Sequence, residues 1–299
     1  MLLEYYKELL GNIPTFMKKY LRCSSLKRLK KIGYFCGMDY ASKDIYDFKE
    51  FITRYDHSVT VALITYKLTN DKTQTIAALF HDVATPCFSH VIDYMNKDYE
   101  NQETTEEYTE KILRSDEYLI SCLEKDNILL EEIVDFKRYP IVDNKRPKVC
   151  ADRIDGVILT GISWTKNVDK KFIYDVVNDM RIDHNEIGFT KKTLVKKIVS
   201  VSKSIDVVCH SKEDHYMMEL LADITRYAIS KEYIKYEDLY ILNEEDLFKI
   251  FKSKKDDTLN YMLDIFYHIK KDELPEIKVP SNVKVRDLKP LVGGERYEG

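Results

Sequence analysis

Apolar residues recur at helical spacing through most of this chain, and the breaks between them set out its elements. In residues 57–69, HSVTVALITYKLT, the apolar positions Val61, Leu63, Ile64 and Leu68 gather largely on one helix face. The next stretch, DKTQTIAALFHDVA, has Asp71 and Thr73 as candidate N-caps and Ile76, Ala77, Leu79 and Phe80 as its apolar residues. Pro86 then breaks or bends the chain before CFSHVIDYMN. The pattern predicts further helices over 103–114, 116–125, 128–136, 147–161, 170–181, 190–208, 213–230, 234–239, 244–253 and 256–270. Strand signals are sparse. EIGFT (186–190) reads as a short strand beside DMRIDH, and the alternation in IKVPSNVKVRDL (277–288) predicts an extended arm or a short sheet. The expected architecture is mainly α: a helical core over 1–230, then a smaller helical lobe and an extended or β tail over 231–299.

Composition agrees with this picture and narrows the partners. Nine Gly and seven Pro among 299 residues leave little room for flexible linkers, and abundant Leu, Ile, Lys and Glu favour helix. A net charge of −4 gives no support for nucleic acid or an acidic membrane as the main partner. The basic run LKRLKK (26–31) reads as a solvated helix face. No apolar run reaches about 18 residues, so no membrane span is expected. The six cysteines are widely spread without a CxxC pair, which predicts reduced thiols and a cytoplasmic protein.

Several polar residues interrupt apolar helices where burial would be costly. His81 and Asp82 end the run IAALFHD, and a buried carboxylate beside imidazoles needs a positive partner. His57 opens the earlier helix, and Asp152 stands at the start of the apolar segment ADRIDGVILTG. Together His57, His81, Asp82 and Asp152 make a two-imidazole, two-carboxylate set. Such a set suits one divalent ion such as Mn, Fe, Mg, Co, Ni or Zn rather than a thiolate metal. An ion there can polarise a P–O bond and lower the pKa of an attacking water.

The order R-x-x-H, then HD, then D resembles the HD-domain metal-dependent phosphohydrolases. The segments SLKRLKKIG (25–33), TRYDHSVT (53–60) and HDVATPCFSHVID (81–93) are similar to the branch that holds the deoxynucleoside triphosphate triphosphohydrolases. ADRIDG resembles that family's third motif, and the stretch from ELLADITRY to EEDLFKIF its later helical lobe. The resemblance implies an HD-type helical fold, His57, His81, Asp82 and Asp152 as metal ligands, and a homo-oligomer. Arg54, one turn before His57, is then placed to bind phosphate through its paired donors. The alternative for Arg54 is an ion pair with an acid such as Glu50. Arg153 is the second expected phosphate ligand, while Lys145, Arg146 and Lys148 read as solvated loop charge, with the fringe of an anionic pocket as the alternative.

The match breaks at informative places. Thr85 stands where the family carries a histidine, with Ala84 for the preceding glycine, and Gln102-Glu103 stands in place of an HE pair. A family tyrosine is absent after the third motif, where Ile154-Asp155-Gly156 follow Arg153, and Ser24 replaces a glutamine. Thr85 and Gln102 can donate hydrogen bonds to phosphate but cannot exchange protons near pH 7. His90 becomes the leading candidate to assist the leaving group; Glu103 and Asp93 are alternative bases, and Asp82 contributes through the metal. The expected function is metal-dependent hydrolysis of a phosphoester in a nucleotide or a similar small molecule, with a deoxynucleoside triphosphate as the first substrate class. The alternatives are a nucleoside monophosphatase, a nucleotide-binding regulator without turnover, and a helical scaffold with coincidental HD residues.

Overall fold

A computed structural model describes residues 1–97, 108–277, 279 and 285–299. Helices dominate, as the periodicity predicts, and the described residues form one small four-stranded sheet. The expected helix over 103–114 is seen as Thr109–Ser115, its earlier part falling outside the described residues. That over 147–161 starts later, at Ala151, because Arg146 and Pro147 belong to a loop.

The helix Arg54–Thr69 is the centre of the fold, packing against Lys72–Phe80, Ala151–Ser163 and Leu2–Leu10. Its residues from His57 to Thr65 are all buried, so the one-sided face expected from the sequence is corrected. A helix covered on every side has no need of a polar stripe, and Ser58, Thr60 and Thr65 sit inside it. The Thr60 and Thr65 hydroxyls donate to the carbonyls of Asp56 and Val61, one turn back. Its start is fixed by a capping box: Thr53 accepts from the Asp56 backbone N–H, and Asp56 accepts from that of Thr53. Asp71 caps the following helix by accepting from the Gln74 N–H, so of the two candidates Asp71 holds the position.

The sheet is built from β1 (Arg181–Asp183), β2 (Glu186–Phe189), β3 (Leu291–Val292) and β4 (Glu295–Arg296) in that order. His184 and Asn185 close the β1–β2 hairpin with φ of 48° and 60°, a left-handed pair that matches strand twist. Gly293 and Gly294 do the same for β3–β4 with φ of 61° and 90°. β2 and β3 are parallel, with Gly188 opposite Leu291 and Phe189 opposite Val292. The C-terminal tail thereby returns to the helical core. Further ties fix it there: the Lys289 N–H donates to the Pro147 carbonyl, and Ser202 donates to that of Arg286.

Candidate metal centre

Four side chains from three helical boundaries converge beside the central helix. The capping box sets Arg54 as the first helical residue and His57 one turn later. The helix Lys72–Phe80 ends just before His81 and Asp82, and Asp152 lies in the first turn of Ala151–Ser163. The His57 Nδ1–H donates to Asp155 Oδ2 at 2.7 Å, leaving Nε2 3.1 Å from Asp152 Oδ1 and 3.8 Å from Asp82 Oδ2. The His81 Nδ1–H donates to the Ala78 carbonyl at 2.7 Å, and its Nε2 lies 3.7 Å from both Asp82 Oδ1 and Asp152 Oδ1.

This arrangement fits a divalent ion on its own chemistry. Ligand atoms of His57, His81 and Asp152 lie within 4.8 Å of one another. His81 Nε2 is buried and has no hydrogen-bond partner among the described residues, an expensive state for a polar atom. Each ring donates through Nδ1 to an oxygen, the arrangement that fixes the tautomer and orients Nε2 in metal-binding histidines. Burial opposes charge on His57, yet Asp152, Asp155 and Asp82 push its pKa up to about 10. Burial likewise works against the charge of Asp82, but His81, Arg54 and His57 hold it down at about 2. The cluster thus attracts positive charge, and a metal ion would take the place of a proton.

Arg54 is buried and donates to Asp82 Oδ2 at 2.9 Å, with its guanidinium 4.9 Å from the Tyr34 ring centroid. The alternative pairing with Glu50 does not form; Glu50 instead accepts from the Leu2 N–H and caps the first helix. His90 Nδ1 lies 2.8 Å from Asp93 Oδ2, and Asp93 is fully buried behind it. Thr85 is buried at the cavity wall, its carbonyl accepting from Arg28. Arg153 lines the cavity too, but its guanidinium is engaged by Asp143 at 2.9 Å, by Asn144 and by the Lys148 carbonyl. Lys145 and Lys148 are exposed loop charges as expected, Lys145 at the rim of the cavity, whereas Arg146 is half-buried and lines the cavity, which corrects its reading as loop charge turned to solvent. Ser24 donates to Asp116. Gln102 and Glu103 lie outside the described residues.

The four converging residues open on a cavity of about 500 Å³, a volume typical of sites for small molecules and cofactors. Part of its wall is aromatic. Phe35 and Phe48 stack at 4.3 Å, and Trp164 meets Phe48 edge-on at 5.7 Å. Sequence reasoning missed Asp155, which accepts from both His57 and the Tyr6 hydroxyl at 2.7 Å. A signal was available, since Asp155 stands inside an apolar helix where a carboxylate needs partners. Arg286 was missed as well; it reaches the cavity from the tail.

Comparison with known proteins agrees with this geometry. Residues 54–157 match the model of the HD domain family, and the matched stretch includes Arg54, His57, His81, Asp82 and Asp152. Over 148 residues the chain is 32% identical to the uncharacterized protein YdhJ of Bacillus subtilis, covering 48% of this chain and 42% of that one. Over 115 residues it is 26% identical to the metal-dependent phosphohydrolase cns2 of Cordyceps militaris, covering 38% of this chain and 33% of the relative. The matched region thus spans less than half the length of each of these relatives. A hypothetical protein from Aquifex aeolicus of known structure shares the fold, with a TM-score of 0.63 and 16% identity over 85% of this chain and 72% of the other. No helix among the described residues is long and apolar enough to cross a membrane.

Proposed function

We propose that this protein is a metal-dependent phosphohydrolase acting on a phosphorylated small molecule, with nucleotides as the first substrates to test. The observation that carries the reading is the buried, unpartnered Nε2 of His81 facing Asp82, Asp152 and His57. His57, His81, Asp82 and Asp152 would hold one divalent ion, Mn, Fe, Mg, Co, Ni or Zn by its donor set. Such an ion, when bound, polarises a phosphoryl oxygen and acidifies water.

The remaining groups take their roles from position. Arg54 carries a buried Nε without a partner, so it can turn a donor to phosphate while keeping its bond to Asp82. His90, oriented by Asp93 through Nδ1, is suited to hand a proton to a leaving oxygen through its other ring nitrogen. Thr85 lies at the same wall and offers a hydroxyl to the substrate. The wall of Phe35, Phe48 and Trp164 favours an aromatic ring, which supports a nucleobase-bearing substrate. The name of the Cordyceps militaris relative supports the reaction class. A deoxynucleoside triphosphate cleaved to nucleoside and triphosphate is the finer form of the proposal, and a homo-oligomeric assembly belongs to it by resemblance.

The test is a product assay on metal-analysed protein with Mn²⁺ or Mg²⁺ and pooled nucleoside mono- and triphosphates, with Asp82→Ala as control. Inorganic triphosphate lost in the control would support triphosphohydrolysis. Orthophosphate from monophosphates would move the protein to the nucleotidases. No product, with one equivalent of metal bound, would overturn the hydrolase reading for these substrates and favour a nucleotide-binding regulator.

A further inference from the structure

Within the cavity, Arg153 is paired with Asp143, but Arg286 and Arg146 have no such ion pair among the described residues. Arg286 comes from the tail segment just before β3, and its backbone is held on both sides. Its N–H donates to Asp206 Oδ1 at 2.7 Å, and its carbonyl accepts from Ser202 at 2.9 Å. Asp206 and Ser202 both belong to the helix Lys192–Cys209. From the other side, Arg146 donates to the carbonyl of Val285 at 2.6 Å. The Arg146 and Arg286 side chains both line the cavity.

No carboxylate among the described residues lies within ion-pair distance of either guanidinium. Among the described residues the buried Arg286 Nε has no hydrogen-bond partner, the Cys209 thiol being the side chain that hydrogen-bonds the guanidinium. Of the carboxylates near Arg286, Asp206 is taken up by the Arg286 backbone N–H, and Asp214 accepts from the Tyr46 hydroxyl at 2.7 Å, with burial pushing its pKa up to about 7. The other ionisable groups around Arg286 are the Cys209 and Cys36 thiols and the Tyr34 phenol, all held neutral by burial. Burial, and after it the neighbouring Arg286 and Arg153, lower the pKa of Arg146 to about 10 against the opposing pull of Asp152. Two like charges brought together and part-desolvated cost free energy that an anion would recover.

We propose that Arg286 and Arg146 form a second phosphate-binding subsite in the cavity, separate from the phosphate position at Arg54 and the quartet. A ligand spanning both would carry two phosphate groups, or a phosphate chain long enough to reach from one to the other. The tail is then part of the binding machinery, brought there by its parallel pairing with β2. This inference deepens the phosphohydrolase reading by naming a substrate feature, but its test needs no turnover.

The test is equilibrium dialysis of the full, manganese-loaded chain against ³²P-labelled orthophosphate at fixed ionic strength. The wild type should hold two equivalents of phosphate. Arg286→Gln should hold one, with metal content unchanged, and Arg286→Lys should keep both with the second at least several-fold weaker. Should Arg286→Gln fail to fold, Arg146→Gln replaces it and should weaken only the second site, about tenfold or more. One equivalent in the wild type that survives Arg286→Gln, or two at unchanged affinity in the Gln variants, would overturn the subsite, whereas a single equivalent lost in Arg286→Gln would keep the subsite and remove the position at Arg54. Because orthophosphate is not a substrate for hydrolysis, absence of any product in the activity assay leaves this result standing, and the reverse also holds.

Discussion

Asp155→Asn is the sharpest test of how the candidate metal centre is built. Asp155 is fully buried, with Oδ2 2.7 Å from His57 Nδ1 and Oδ1 2.7 Å from the Tyr6 hydroxyl. As a carboxylate it accepts from both, which keeps the His57 proton on Nδ1 and the Nε2 lone pair toward Asp152. An amide must choose. With its nitrogen toward His57, the ring has to move its proton to Nε2, and that atom can no longer ligate. With its oxygen toward His57, the Tyr6 hydroxyl turns from donor to acceptor, the tautomer survives, and only the charge is lost. The second orientation costs less, so the expected loss is that of an outer partner, about 10–100-fold in metal affinity. That is about 1.4–2.7 kcal/mol. Tyr6→Phe leaves the carboxylate in place and should change metal affinity by only a few fold, while costing about 1 kcal/mol of stability for the lost hydrogen bond. The assay is competition for Mn²⁺ or Zn²⁺ against a chromophoric chelator, with thermal melts to verify folding. A folded Asp155→Asn protein with wild-type metal affinity would refute the orientation mechanism, as would a larger loss in Tyr6→Phe than in Asp155→Asn.

Three other outcomes follow from the same geometry. Arg54→Gln should keep the metal but lower kcat/KM for any phosphoester substrate by about 10²-fold, the usual cost of losing one electrostatic donor; an unchanged value would remove Arg54 from the phosphate site. Asp93→Asn should lower kcat and alter the pH–rate profile while KM changes little, because Asp93 acts only through His90; an unaltered profile would make the pair structural. Glu244, fully buried against the backbone N–H groups of Gly33 and Phe88, has its pKa pushed up to about 8 by burial and by Asp39. Between its ordinary value of 4.5 and about 8 the folded state binds more protons than the unfolded, so stability should fall as pH rises through that window. The total is of order 5 kcal/mol; urea midpoints at pH 6 and 8.5 should lie further apart in the wild type than in Glu244→Gln, where Asp214 and Asp39 still titrate.

The parts of the fold legible in the sequence are those whose determinants are local. The helices over 116–125, 170–181, 213–230 and 244–253 are found within a few residues of their predicted ends, since caps such as Asp116, Asp169, Ser211 and Asn243 act over three residues. The central helix is a different case. Its periodicity is blurred because neighbours cover every side, so Val61, Leu63, Ile64 and Leu68 suggested a face that does not exist. The sheet is half legible. The β1–β2 hairpin follows from a local turn, whereas the parallel pairing of β2 with β3 joins residues about a hundred positions apart and leaves no short-range mark.

The site divides in the same way, and the division has a physical cause. His57, His81, Asp82 and Asp152 could be named because each sits at a polar break in an apolar run, where a buried charge demands explanation. Asp155 met the same criterion three residues later in the same segment, but it was weighed only as a departure from a family pattern. Tyr6 and Arg286 met no criterion at all: a tyrosine on an amphipathic helix and an arginine in an alternating tail are ordinary until the fold brings them in. Arg146 was misread for a related reason, because charge beside a proline turn is solvated unless a distant segment covers it, and here residues 285–290 do so. The four proposed metal ligands are thus encoded in short motifs, whereas the groups that orient them and the cations that extend the cavity depend on tertiary pairing. A variant that unpairs β3 from β2 should therefore spare the metal site and weaken the second phosphate position, which separates the two layers of the site by experiment.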